Sequence, residues 1–143
     1  MNEITVDNQT MGYIKLFESY ARTSVYECLE NEEMVLFVVG ERKLADIFKK
    51  HENIIADLKT KINKRILMAE FSSDLLTFIH NLFYRYDVKE IDLIWKENIT
   101  NVFIAIAPEN IGKAIGKDSR NIKLMRDAIA RYFKIKNVII KQR

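Results

Sequence analysis

Residues 111–133, IGKAIGKDSRNIKLMRDAIARYF, are the stretch on which the reading of this 143-residue chain turns. It opens with a short apolar turn of helix, passes through a small polar loop at 116–119, and continues into a second helix with basic residues crowding its first turns. Ile122, Met125, Ile129 and Phe133 recur at steps of three and four residues, so they share one face of that helix. Lys117, Arg120, Lys123 and Arg126 are left to face the loop or the solvent. A helix start carries partial positive charge and N–H groups not used by the helix itself. A small-residue loop feeding a basic helix is therefore a sensible place to hold a phosphate, and its geometry suits a nucleic-acid backbone.

The segment AIGKDSRNI, residues 114–122, resembles the core motif of K-homology (KH) RNA-binding domains, in which a GxxG loop joins two helices. The longer pattern resembles the second KH domain of the archaeal NusA-like transcription elongation and termination factors. The family's closing glycine is Ser119 here, the next smallest polar choice. Asp118 sets a carboxylate beside the proposed phosphate; it or Ser119 can instead serve as N-cap of the second helix. The resemblance implies an α+β protein of two tandem KH-like (type II) domains, each a three-stranded sheet packed with helices. It implies an RNA-binding site made of Lys113, Gly116, Lys117, Asp118, Ser119, Arg120, Lys123 and Arg126. KH domains clamp about four nucleotides beside such a loop. Ile111, Ile115 and Ile122 are candidates for an apolar floor, with core packing as the competing role.

Composition narrows the other possibilities. The hydrophobic fraction of 48% is ample for a core, and 30% charged residues suit a soluble surface. No apolar run approaches the roughly 18 residues of a membrane span, and the N-terminus is polar and acidic, unlike a signal peptide. A cytoplasmic location and no membrane partner are expected. The single cysteine, Cys28, excludes an internal disulfide and reads as a small strand hydrophobe. Two histidines far apart give no metal-ligand spacing. There is no GxxxxGK[ST] phosphate loop and no dinucleotide fingerprint. No metal, no cofactor, no small-molecule substrate and no enzymatic activity are expected.

The net charge of +3 matters less than its distribution: residues 1–39 carry −5, residues 40–67 +4, residues 68–112 −4 and residues 113–143 +8. An acidic segment is twice followed by a basic one, as two copies of one unit would give. The hydrophobic pattern agrees. A helix over 11–22, after a frayed or extended 2–10, precedes strands at 25–29 and 33–39 joined by a turn at 30–32. Helices at 41–50 and 53–62 and a strand at 65–70 follow. The order then recurs: a helix from Ser73 or Asp74 to about Tyr84, with His80 partly against the core, strands at 91–95 and 102–107, the helix pair of 111–133, and a strand at 137–141. The apolar MVLFVV strand and its counterpart at 102–107 are expected to be central. A shift of 68 superposes Glu41 on Glu109, Ile47 on Ile115, Lys49 on Lys117, Asn53 on Asn121 and Ile54 on Ile122. The expected domains are 1–71, with a degenerate loop, and 72–143, with the GxxG-like loop at 116–119. The short junction between them favours docked units over beads on a string.

In the first unit the same shift makes Phe48, Lys49, Lys50 and His51 the corresponding loop, with no glycine. Three roles stay open there: weak electrostatic support to RNA through Arg42, Lys49 and Lys50, stacking of a base on Phe48, or a purely structural unit. The function expected is binding of single-stranded, nascent RNA in transcription elongation or termination, with contact to RNA polymerase left open. The alternative is a KH scaffold that docks on polymerase or ribosome without binding RNA.

Overall fold

Strand β2 (Met34–Val39) is apolar at every position, and all six of its side chains are fully buried. Such a run belongs at the centre of a sheet, and β2 lies between β1 (Val25–Glu30), antiparallel to it, and β3 (Arg65–Glu70), parallel to it. The computed structural model describes residues 8–142, which divide between Ser73 and Asp74 into two compact units. In the first, α1 (Asn8–Ala21) precedes β1 and β2, and α2 (Leu44–Lys50) and α3 (Ile54–Ile62) lead to β3. The second repeats that order with α4 (Leu75–Phe83), β4 (Val88–Lys96), β5 (Ile99–Ile106), α5 (Pro108–Ile115), α6 (Arg120–Ala130) and β6 (Asn137–Gln142). Its sheet is β4-β5-β6, again with an antiparallel and then a parallel pairing. Both units thus have the type II KH order, and both expected central strands are central.

Period-two alternation sends Val35, Phe37 and Val39 to one face of the first sheet. There they join Phe17, Cys28, Ile47, Ile54, Leu58, Ile66 and Met68 in one core, with the rings of Phe17 and Phe37 stacked at 4.5 Å. In the second unit Val102, Ile104 and Ile106 of β5 are buried, as are Leu124, Met125, Ala128 and Ile129 of α6, and the Phe78 ring of α4 meets Tyr132 edge-on at 5.7 Å. Among the described residues no helix is long and apolar enough to cross a membrane.

Several boundaries differ from the sequence reading for local reasons. Residues 8–10 already belong to α1, while 2–7 lie outside the described residues. The first turn is Asn31 to Glu33, because the Asn31 carboxamide oxygen accepts from the N–H groups of Glu33 and Met34 at 2.8 and 2.9 Å. Helix α5 starts at Pro108, whose fixed φ and missing N–H suit the first helical position. Strands β4 and β5 run longer than expected because Glu97 and Asn98 are both left-handed, which gives a two-residue hairpin turn. Helix α6 stops at Ala130, so Phe133 lies beyond it, 6.0 Å from the Phe78 ring. His80 is exposed on α4 and does not pack on the core.

Asp74 caps α4: its Oδ2 accepts from the Thr77 hydroxyl at 2.6 Å and the Thr77 amide at 3.0 Å. These bonds, hydroxyl first, hold its carboxyl below the ordinary value of 3.8. A folded-state value below the unfolded one means stabilisation that is present above the ordinary value and lost as pH falls through the folded one. Asp74→Ala is expected to lower the urea midpoint at neutral pH, and the gap to the parent should narrow under strongly acidic conditions, as read by circular dichroism at both pH values.

Candidate nucleic-acid interface

Two helices that meet across four residues leave little space between them, and the chain answers this with Gly116. Its φ of 76° and ψ of 169° fall in a region that is essentially glycine's alone. Its N–H closes α5 on the carbonyl of Gly112 at 2.9 Å. A Cβ at this position would stand 2.7 Å from Cγ and Nδ2 of Asn121. Asn121 is 2% exposed, and its Nδ2 donates to the Lys113 carbonyl at 3.1 Å, answering one of the acceptors that the end of α5 leaves open. The close approach that glycine permits at this turn is therefore made by the protein's own carboxamide. Asn121 was missed as a site-building residue by the sequence reading; its one signal was the identity with Asn53 in the internal repeat.

Beyond Gly116 the chain makes a single 3-10 turn over Lys117–Ser119. The Ser119 N–H bonds the Gly116 carbonyl at 3.1 Å, and the Arg120 N–H bonds that of Lys117. Asp118 (φ 56°) and Ser119 (φ 62°) are both left-handed, a conformation that glycine adopts more readily than either. Ser119 holds the N-cap position of α6, yet its side chain makes no cap bond. The expected cap fails because a capping residue needs extended backbone, and Ser119 does not have it.

The structure sets Lys113 on the last turn of α5, Lys117 and Asp118 in the connecting turn, Arg120 at the first position of α6 and Lys123 one turn further. Lys113, Lys117, Asp118, Lys123 and Arg126 are exposed; Gly116, Ser119 and Arg120 are half-buried. Arg126 is tied down, with Nη2 2.9 Å from Asp127 Oδ1 and Nη1 3.3 Å from the Lys136 carbonyl. Between α6 and β6 lies a groove of about 350 Å³ lined by Ile122, Lys123, Arg126, Asp127, Asn137 and Val138. Of the two roles left open for Ile122, apolar floor or core, the structure places it in the lining of this groove; the buried stripe is Asn121, Leu124, Met125, Ala128 and Ile129. Ile111 and Ile115 are half-buried on α5 and are not among the groove's lining residues.

The first unit differs. Phe48, Lys49 and Lys50 belong to α2, so the expected loop is the last turn of a helix and the connecting turn is 51–53. The shift of 68 holds where α3 and α6 end, at Ile62 and Ala130, but α2 and α5 end at Lys50 and Ile115, an offset of 65. One constant shift therefore misplaced the turn by three residues. Phe48 packs against the first core, which takes its ring away from a stacking role. Lys50 pairs with Asp46 at 3.0 Å. Arg42 is exposed in the turn before α2, at the opposite end of that helix from Lys49 and Lys50.

Comparison with known proteins gives the same fold. Residues 75–143 match the model of the NusA-like second KH domain. A probable transcription termination protein NusA of Thermoplasma acidophilum is 55% identical over 142 residues, 99% of each chain. A protein of the same description from Methanococcus vannielii is 25% identical over 94% of this chain and 78% of its own. The crystal structure of APE1850 superposes with a TM-score of 0.68 at 26% identity, covering 95% of this chain and all of that one.

Gly116→Ala combines a strained backbone with a clash and is expected to cost about 2 kcal/mol or more. Asn121→Ala should cost about 1–3 kcal/mol. Because each substitution relieves part of what the other disturbs, the double variant should be less destabilised than the sum by at least about 0.5 kcal/mol. Urea unfolding of the four proteins checks this; strict additivity would mean the two residues do not act together.

Proposed function

This chain belongs to the archaeal NusA-like family of KH proteins, and on that premise we propose that it binds single-stranded RNA, the nascent transcript, and acts in transcription elongation and termination. The observation that carries the reading is the run of cations from the turn into the groove. Lys117, Arg120 and Lys123 follow one another around the start of α6, and Ile122 and Val138 line the groove they lead into. Phosphates would meet the turn and the first turn of α6, where backbone N–H groups and positive side chains coincide. Bases would lie along the α6–β6 groove, against the apolar side chains of Ile122 and Val138. Asn121 and Gly116 serve by keeping the turn rigid, so that RNA binding need not first order it. The carboxylate of Asp118 weakens the hold on phosphate, which suits a factor that must let a moving transcript slide. In the first unit Lys49 and Arg42 contribute long-range attraction, with Lys50 shared with Asp46.

Binding through phosphates should weaken steeply with salt, with a log–log slope of about −0.7 for each contact on a single strand. The Lys117→Ala, Arg120→Ala double variant should bind more weakly, with a slope flatter by roughly 1.4. Asp118→Gly should bind RNA more tightly, since it removes a repulsive charge at a left-handed position that glycine accepts. Fluorescence anisotropy across a salt series reads all three. An unchanged affinity and slope in the double variant would remove the turn from the site, whereas no binding by the parent chain at any salt would favour a scaffold that docks on protein.

A further inference from the structure

The β4–β5 hairpin carries an exposed tryptophan at its far end. Residues paired across antiparallel strands share a face, and the register pairs Ile91 with Ile104, Leu93 with Val102 and Trp95 with Thr100. Ile104 and Val102 are fully buried on that face, whereas Trp95, nearest the hairpin turn, is 71% exposed. The row through Trp95 and Thr100 continues to Lys136, whose N–H donates to the Thr100 carbonyl at 2.9 Å. With strands about 4.8 Å apart, the backbones of Trp95 and Lys136 lie about 10 Å from each other. Beside Lys136 is a groove of about 290 Å³ lined by Asn98, Ile99, Arg126, Lys134, Ile135 and Lys136. Its lining holds three cations and no acid. It shares Arg126 with the α6–β6 groove, so the two meet at that residue.

We propose that single-stranded RNA seated in the α6–β6 groove continues past Arg126 into this second groove, and that a base beyond it stacks on the Trp95 indole. Lys134 and Lys136 meet the phosphates of this extension. Ile99 and Ile135 supply an apolar wall for a base. A large exposed indole near a groove whose charged lining is all positive matches what single strands offer, since every base presents a π-face and every linkage a negative charge. The cations favour RNA over a protein partner, for which the exposed Trp95 and Ile94 would otherwise serve. The extension rests on the RNA-binding reading above and adds a stacking subsite to it.

Trp95 is the only tryptophan of the chain, so its emission reports this subsite alone. The probes are fluorescein-labelled oligoadenylates, one of about four nucleotides, the length a KH groove clamps, and one twice as long. Affinity is read by anisotropy with the labelled strands, and indole emission with the same strands unlabelled. The longer strand is expected to bind more tightly and quench Trp95, while the shorter binds without quenching. Trp95→Ala should weaken the longer strand roughly tenfold and leave the shorter unchanged. Trp95→Phe, which keeps an aromatic face, should recover part of the loss. If both strands bind with no change in emission and Trp95→Ala binds as the parent does, the stacking subsite is wrong while RNA binding stands. If neither strand binds by anisotropy, the RNA reading falls and this inference with it.

Discussion

The carboxamide of Asn121, lodged against the bare Cα of Gly116 and bonded to the Lys113 carbonyl, is the contact on which the second unit's binding face depends. It joins the end of one helix to the start of the next through a buried polar group, and it tolerates no side chain at the residue between them. Every cation of the proposed site is positioned relative to that junction. Lys113 precedes it, Lys117 lies in its turn, and Arg120 and Lys123 follow along α6. A looser junction would leave the same charges on the chain but present them as an ensemble, and a phosphate would have to gather them at an entropic cost.

Much of this was legible in the sequence. The order of elements, the central strands and the duplication all follow from apolar periodicity and charge blocks, which are imposed by burial and therefore leave a pattern. What escaped was set by backbone geometry. That Gly116 faces Asn121 depends on a pair of torsions, and nothing in the string GKDSRN distinguishes a glycine that admits a ligand from one that admits a neighbour. Spacing alone left Ile122 open between core and groove, because one helical position decides between them, and Leu124 and Ala128 complete the buried stripe. The turn of the first unit was misplaced because helices of unequal length absorb insertions that a constant offset cannot represent.

The two units show how one topology can diverge at a single connection. The second has a four-residue link with two left-handed residues after a left-handed glycine. The first has a three-residue link, 51–53, in which His51 and Asn53 keep negative φ, and His51 instead pairs with Asp57 at 2.6 Å beside the Tyr20 ring. The first side chain of this link, His51, is thus turned to a partner within the unit. Its sheet and core are as complete as those of the second unit, so the divergence is one of surface chemistry on a retained frame.

The burial of Cys28 in the first core gives the chain a built-in clock. A thiol packed among Phe17, Phe37 and Met68 is shielded from alkylating reagents until β1 leaves its neighbours. No second cysteine competes for the label. The rate at which iodoacetamide consumes that one sulfur, set against its rate on the unfolded chain, therefore gives the fraction of time for which the thiol is open to reagent when reclosing outpaces alkylation.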